Sequence, residues 1–473
     1  MIDRLRSGNL LLALVLFALL RGVVYASVIP PWQAPDEFRH FEYARLIAEY
    51  RRPVTYADLS PQLEEEIIAS LSEFDYWKFG YSTFPFDESN PPRRFVDFVA
   101  PVIAHSLYQP PLYYLLGASV ILPLLREDVV LQMYAVRLAS LFLGALTVII
   151  AFLVAGEIFP DDLFLKIGAP AFVALLPMHA FIAASVNNEV LAEFVTSLLF
   201  LLLVRGLIKG WSWPEITLVP VLVILAWYTK RTALVTFPLV LATLPLWWAS
   251  RRQKVERRWL LGIPGGLAAA ITVLIIAAAS LHPFLTQLSP KAIGYLVWPE
   301  DIFAFILDRE RLSPEALRLY GEFLRTLLES FWARFGWMNV PLGEGWYLSI
   351  AIVCLLSLAG LVLFGIRVIQ GRNRLSPSQV AALLLFLLGV VLQLGIVVVG
   401  QLRVREAIVP GSLPQGRYLF PVIVPLATLF MLGLRELVSP RHRQGLLTAS
   451  LAGFLLLLDV ASLLFYILPF YYL

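Results

Sequence analysis

The chain has one cysteine, Cys354, inside an apolar run. No intrachain disulfide can form, and a metal site built from several thiolates is excluded. Charge is also scarce: Asp, Glu, Lys and Arg make up 15% of the 473 residues. Neither a G-x-x-x-x-G-K-S/T phosphate loop nor a G-x-G-x-x-G fingerprint occurs, so cytosolic nucleotide chemistry has no visible home. The chain shows no internal repeat and no low-complexity tract. A net charge of +3 says little, and nucleic acid is not an expected partner.

What the chain has in abundance is apolar surface. Hydrophobic residues make up 59%, and the mean hydropathy is +0.77. Soluble domains rarely exceed about half apolar residues. Weakly charged runs near the roughly 20 residues needed to cross a bilayer recur throughout. The class is an all-α polytopic membrane protein. The first run, Asn9 to Ile29, follows Arg4 and Arg6 but exceeds a signal-peptide core, so it reads as an uncleaved span.

The pattern predicts spans over roughly 8–29, 110–125, 130–154, 164–185, 189–208, 215–228, 232–249, 259–281, 346–370, 378–400, 417–437 and 446–468. Lys and Arg cluster at 205–210, 251–258, 367–374 and 435–443. The positive-inside rule puts these loops and the N-terminus in the cytoplasm. With all five candidates before 205–210 crossing, that loop would fall outside. The segment 110–125 is short, opens on a Pro pair and contains Pro123, so it is expected not to cross fully. About eleven crossings then remain, with the C-terminus outside.

Two outside loops follow, at 30–109 and 282–345. Ser60-Pro61 is a good cap and first-turn pair, ahead of Leu63, Ile67, Leu71 and Phe74 at helical spacing. Ser313-Pro314 opens a second such helix, with Leu317, Tyr320, Leu324, Leu327 and Phe331 on one side. Such helices lie along the membrane interface, or they pack on one another as a small cap.

The polar residues that invite a chemical reading begin with "APDEFRHFEYARLIAEY". Pro35 starts a helix, and acids are favoured in its first turn. Asp36, His40 and Tyr43 then share one face at i, i+4 and i+7. This aims an acidic group at the water–lipid boundary, where it can serve as a general base, or simply favour a helix start. Further polar groups mark span ends. They are the Tyr and Gln of "YQPPLYYLLGA", Arg137, the Asn187, Asn188 and Glu189 turn, Lys230, Arg231, Arg334, Arg403, Arg405, Arg417 and Tyr418. Outer positive charges run against the positive-inside trend. They suit a phosphate or diphosphate headgroup, or they snorkel to outer-leaflet phosphates.

This pattern resembles the GT-C superfamily of integral-membrane glycosyltransferases, which includes protein O-mannosyltransferases and the lipid A aminoarabinose transferase. The resemblance rests on Asp36-Glu37 with "FEYARLIAE", "QPPLYYLLGA", "VRLASLFLGALTV", the Asn187–Glu189 turn and the Lys230 turn. "SFWARFGWMNVPL" and "QGRYLFPVIVPL" are similar to a bacterial branch of the same clan. It implies a GT-C-like fold with a catalytic module at 1–281, an extracytoplasmic loop at 282–345 and C-terminal helices at 346–473. It also implies a polyprenyl-phosphate sugar donor and a cell-envelope glycan, lipid or protein acceptor, used on the extracytoplasmic face of the plasma or inner membrane. On that model Asp36 is the base, Glu37 assists or orients it, and Lys230, Arg231 and Arg417 hold the leaving phosphate. Some members bind Mg or Mn through acidic residues of this loop and the next. Here Asp36 and Glu189 would have to serve, so an obligatory metal is not expected. Two other classes stay open: a transporter or flippase of lipid-linked glycans, which usually shows internal symmetry, and a polymerase or ligase using a diphosphate-linked donor.

Overall fold

Among the described residues, each apolar run expected to span is built mainly of helix. The computed structural model describes residues 2–80, 82, 92–101, 103–251, 314–373, 375–407, 415–438 and 444–473. The span expected at 259–281 and most of the loop at 282–345 lie outside the described residues.

Helix α1 (Ile2–Val28) leads into a cap of α2 (Glu37–Tyr50), α3 (Pro61–Glu73) and the short α4 (Tyr76–Phe79). Next come α5 (Leu112–Ile121), α6 (Val129–Ile158), α7 (Leu163–Leu175), α8 (Pro177–Ala183), α9 (Glu189–Lys209), α10 (Trp213–Thr229) and α11 (Thr236–Ser250). Then α12 (Pro314–Trp332) precedes a two-stranded antiparallel hairpin, β1 (Arg334–Phe335) and β2 (Val340–Pro341). The chain continues with α13 (Glu344–Ile369), α14 (Pro377–Ala407), α15 (Ile423–Leu437), α16 (Gln444–Ala461) and α17 (Leu468–Tyr472).

Among the described residues eight helices are long and apolar enough to cross a membrane, or nine if α7 and α8, bent by 60°, form one span. Pro177 sets that bend, because the residue before a proline is driven out of helical geometry. Helix α5 has 10 residues, about 15 Å, half the hydrocarbon thickness. It lies along only the first part of α6, where Tyr113 Oη and Ser140 Oγ are 2.8 Å apart and Gln132 Nε2 donates to Leu124 O at 3.1 Å.

Two contacts hold the bundle tightly. Buried Arg21 on α1 pairs with Asp459 on α16 at 2.7 Å, and Tyr25 Oη donates to the same carboxylate oxygen at 2.7 Å. Charges at membrane depth are costly, and this pairing offsets that cost. Helices α13 and α15 meet backbone to backbone: a Cβ added at Gly360 would fall 1.9 Å from Gly433 O.

In the cap, Ser60 Oγ accepts from Leu63 N at 3.3 Å with Pro61 behind it, as the sequence pattern requires. Leu63, Ile67 and Leu71 are buried in the core. The stripe therefore packs as a cap on the bundle end, the second of the two expected arrangements. In α12, Leu327 and Phe331 are buried while Leu324 is exposed. Leu317 and Tyr320 have side chains outside the described residues.

Candidate functional site

The two adjacent acids after α1 have separate surroundings. Asp36 adopts the left-handed conformation at φ 65° and does not cap α2 with its side chain. Non-glycine residues rarely sit there, and such strain concentrates at functional sites. The turn sends the Asp36 carboxylate away from the helix axis, leaving it 27% exposed. It pairs with Arg39, one turn into α2, and accepts from Arg417 Nη2 at 3.2 Å.

Glu37 is fully buried. Its oxygens accept from Arg137 Nε at 2.8 Å and Nη2 at 2.6 Å, and from the backbone of Trp32 and Val186 at 3.1 and 3.0 Å. Arg137 directs its other bonds to the carbonyls of Ala26, Ile29 and Pro30. All five of its N–H groups are thus committed, and no surface remains for a ligand. The phosphate contact expected of Arg137 is corrected to a fastening of α1, α2 and α6. The role for Glu37 shrinks likewise to holding the start of α2.

Around Asp36 the span ends deliver the rest. Glu189 at the start of α9 receives Lys230 Nζ at 2.5 Å and lies 3.2 Å from Arg417 Nε. Lys230 Nζ also donates to Asn188 Oδ1 at 3.1 Å. The Tyr418 ring lies under both cations, 5.3 Å from Lys230 Nζ and 5.6 Å from the Arg417 guanidinium. Asn187 Oδ1 accepts from Glu189 N at 2.9 Å and so shapes the turn. Arg417 owes its position to Gly416, where a Cβ would fall 2.1 Å from Phe331 N on α12. Three cations, Arg39, Arg417 and Lys230, thus face two carboxylates, Asp36 and Glu189. Among the described residues the buried Nη1 of Arg417 and Nδ2 of Asn187 have no hydrogen-bond acceptor. Buried N–H groups without acceptors are uncommon, and they suit an added anion.

His40 shares the Asp36 face and meets Tyr114 Oη at 2.7 Å. Burial, reinforced by Lys230, Arg39 and Arg417, holds its imidazole well below the usual histidine range. It sits neutral beside the cations. Tyr43, on the same face, stacks on Tyr114 with centroids 4.1 Å apart.

The other expected residues are dispersed. Arg231 Nη2 donates to Tyr108 O at 3.1 Å, beside the cationic set. Arg334 binds Glu329 at 2.9 Å and Met338 O at 2.9 Å, within the α12–hairpin unit. Arg403 and Arg405 fall near the end of α14, with side chains outside the described residues. A divalent ion between Asp36 and Glu189 does not fit this arrangement, because the Arg417 guanidinium already bridges the two carboxylates. Arg39 was missed in the sequence, although its i+3 spacing from Asp36 was a readable signal. The pair His179 Nε2–Glu193 Oε1, 2.8 Å apart and one turn beyond Glu189, was also missed.

A family model described as "Predicted membrane protein (DUF2142)" matches residues 19–426. No curated protein matches the chain. Among solved structures, the apo oligosaccharyltransferase of Archaeoglobus fulgidus is 13% identical with a TM-score of 0.45. The match covers 96% of this chain and 56% of that one. AglB of the same organism, in complex with an inhibitory peptide and a dolichol-phosphate, is 11% identical with a TM-score of 0.47, covering 96% and 56%. ArnT from Cupriavidus metallidurans, bound to undecaprenyl phosphate, is 16% identical with a TM-score of 0.41, covering 93% and 63%. These neighbours are GT-C glycosyltransferases, the superfamily that the sequence resembles. The chain spans less than two thirds of the length of each.

Proposed function

We propose that this chain, which belongs to the DUF2142 family of predicted membrane proteins, is a GT-C-type glycosyltransferase. It moves a sugar from a polyprenyl-phosphate donor to a hydroxyl of a cell-envelope acceptor, on the extracytoplasmic face of the membrane. The observation that carries this reading is the partly exposed Asp36 carboxylate held against Arg417, whose buried Nη1 has no acceptor among the described residues.

In the reaction Asp36 takes the proton of the acceptor hydroxyl as its oxygen attacks the anomeric carbon. The bond from that carbon to the phosphate oxygen breaks with inversion, and polyprenyl phosphate leaves carrying one more negative charge. Arg417 and Lys230 stabilise that charge, with Arg39 holding Asp36 in place. Asn187 and Asn188 shape the turn that presents Glu189, and Tyr418 supports both cations from below. Residues 1–281 supply the base, and residues 346–473 complete the site through Arg417. No step needs a metal between Asp36 and Glu189. The single surplus cation suits a phosphate monoester leaving group better than a diphosphate, which argues against the polymerase or ligase reading. The transporter reading assigns no proton chemistry to Asp36.

The test is transfer by the full chain in proteoliposomes, with polyprenyl-monophosphate and polyprenyl-diphosphate sugars as separate donors. Transfer from the monophosphate donor, falling by about 10²–10⁴-fold in Asp36→Asn, is the expected result. Undiminished transfer by a folded Asp36→Asn protein would sink the base assignment.

A further inference from the structure

The face of α2 turned away from the candidate site carries a second polar cluster. Glu42 lies about 200° around the helix from His40, at ~100° per residue. There Glu42, Glu64 of α3 and His105, from the segment ahead of α5, bring ligand-capable atoms within 4.8 Å of one another. Glu42 and Glu64 are 0% exposed and His105 5%.

Each contact within the cluster is defined. His105 Nδ1 and Glu42 Oε2 are 2.8 Å apart. Glu64 accepts from Arg94 Nη2 at 2.7 Å and from Phe95 N at 2.9 Å. Glu42 Oε1 is buried and has no hydrogen-bond partner among the described residues. A carboxylate oxygen can only accept, and a second carboxylate beside it cannot donate. Among the described residues the guanidinium beside the cluster, that of Arg94, contacts Glu64 and is 40% exposed. A buried carboxylate oxygen without a donor, next to another carboxylate and an imidazole, offers a vacant acceptor position to a cation.

We propose that Glu42, Glu64 and His105 bind a divalent transition-metal ion of the zinc or manganese class. One imidazole with two carboxylates is a mixed nitrogen and oxygen donor set, which suits these ions better than calcium or magnesium. The ion fastens α2 to α3 and to the chain before α5, and so steadies the helix whose first turn presents Asp36. Its role is structural and separate from the Asp36 network, which holds its own cations.

The full chain, purified in nanodiscs and stripped with a chelator, is titrated with Zn2+ alone and with Mn2+ alone. Bound metal is counted by mass spectrometry, and Tm is followed in parallel. About one ion per chain is expected, in wild type and in Asp36→Asn alike. The Glu42→Gln and His105→Gln variants should bind more than about 100-fold more weakly, beyond the 10–100-fold that loss of an outer-sphere partner costs. The ion should raise the wild-type Tm, because it binds only the folded chain. Absence of stoichiometric uptake of either ion by wild type overturns the proposal, as does wild-type affinity in both variants. If the variants do not fold, the metal-dependent Tm of wild type decides alone. Metal content does not depend on transfer, so failure of the glycosyltransferase reading would leave this result intact.

Discussion

Asp36 and Glu37 are adjacent carboxylates at one helix start, yet they are held in opposite ways. Glu37 is fully buried against a guanidinium that no other carboxylate shares, and both its oxygens are satisfied by Arg137 and the backbone N–H groups of Trp32 and Val186. Asp36 meets a guanidinium that it shares with Glu189, remains 27% exposed, and sits on a strained backbone. A saturated pair fixes a position, whereas a shared pair can exchange partners when substrate enters. The difference comes from one backbone angle, because the left-handed turn at Asp36 splits two side chains that would otherwise leave the helix start together.

The largest effect should separate the two acids by chemistry. Asp36→Asn removes the base and keeps the shape, so transfer should fall by about 10²–10⁴-fold, the usual worth of a positioned base. Tm should change little, since a partly exposed ion pair contributes little to stability. Transfer assays beside thermal melts of the same preparation check this. A variant that loses Tm instead of activity would make Asp36 another Glu37.

Glu37→Gln should behave in the opposite way. It leaves the Arg137 guanidinium buried and without its counter-charge, which costs about 3–5 kcal/mol. Thermal unfolding should reveal a destabilised protein whose remaining folded fraction still transfers sugar. Replacing Glu37 and Arg137 together by apolar residues should recover part of the loss, because no orphaned charge then remains.

The sequence carried one half of this contrast. Apolar runs near span length located eleven helical segments among the described residues, since a bilayer demands them, and the twelfth run, 259–281, lies outside those residues. The position of Asp36 after the first span marked it, and Ser60-Pro61 announced α3. The partners could not be read in the same way. Glu37 and Arg137 are 100 residues apart, and Asp36 and Arg417 are 381 apart. Several outer cations competed for each acid, and only packing decides among them. The positive φ at Asp36 was equally hidden, because an Asp after Pro reads as an ordinary helix start.

A smaller effect tests whether the shared guanidinium needs its fork. Arg417→Lys keeps the charge but cannot contact Asp36 and Glu189 at once. Transfer should fall about 10–100-fold, less than the 10²–10³ lost when a whole transition-state donor is removed. A change within twofold would mean that charge alone suffices there and that the bridge between the carboxylates is incidental.

The smallest effect concerns His40, which lies on the Asp36 side and belongs to neither acid. Its folded-state pKa lies well below the ordinary 6.5, mainly through burial. The unfolded chain therefore binds a proton that the folded chain refuses. Above about pH 6.5 both states are neutral at this residue and stability is unaffected; below it, stability falls as pH falls. His40→Asn keeps a group able to meet Tyr114 Oη and removes the titration. Wild type should lose more Tm than His40→Asn between pH 7.5 and pH 5, while the two respond alike above pH 7. Equal acid sensitivity of the two proteins would sink the assignment of the loss to His40.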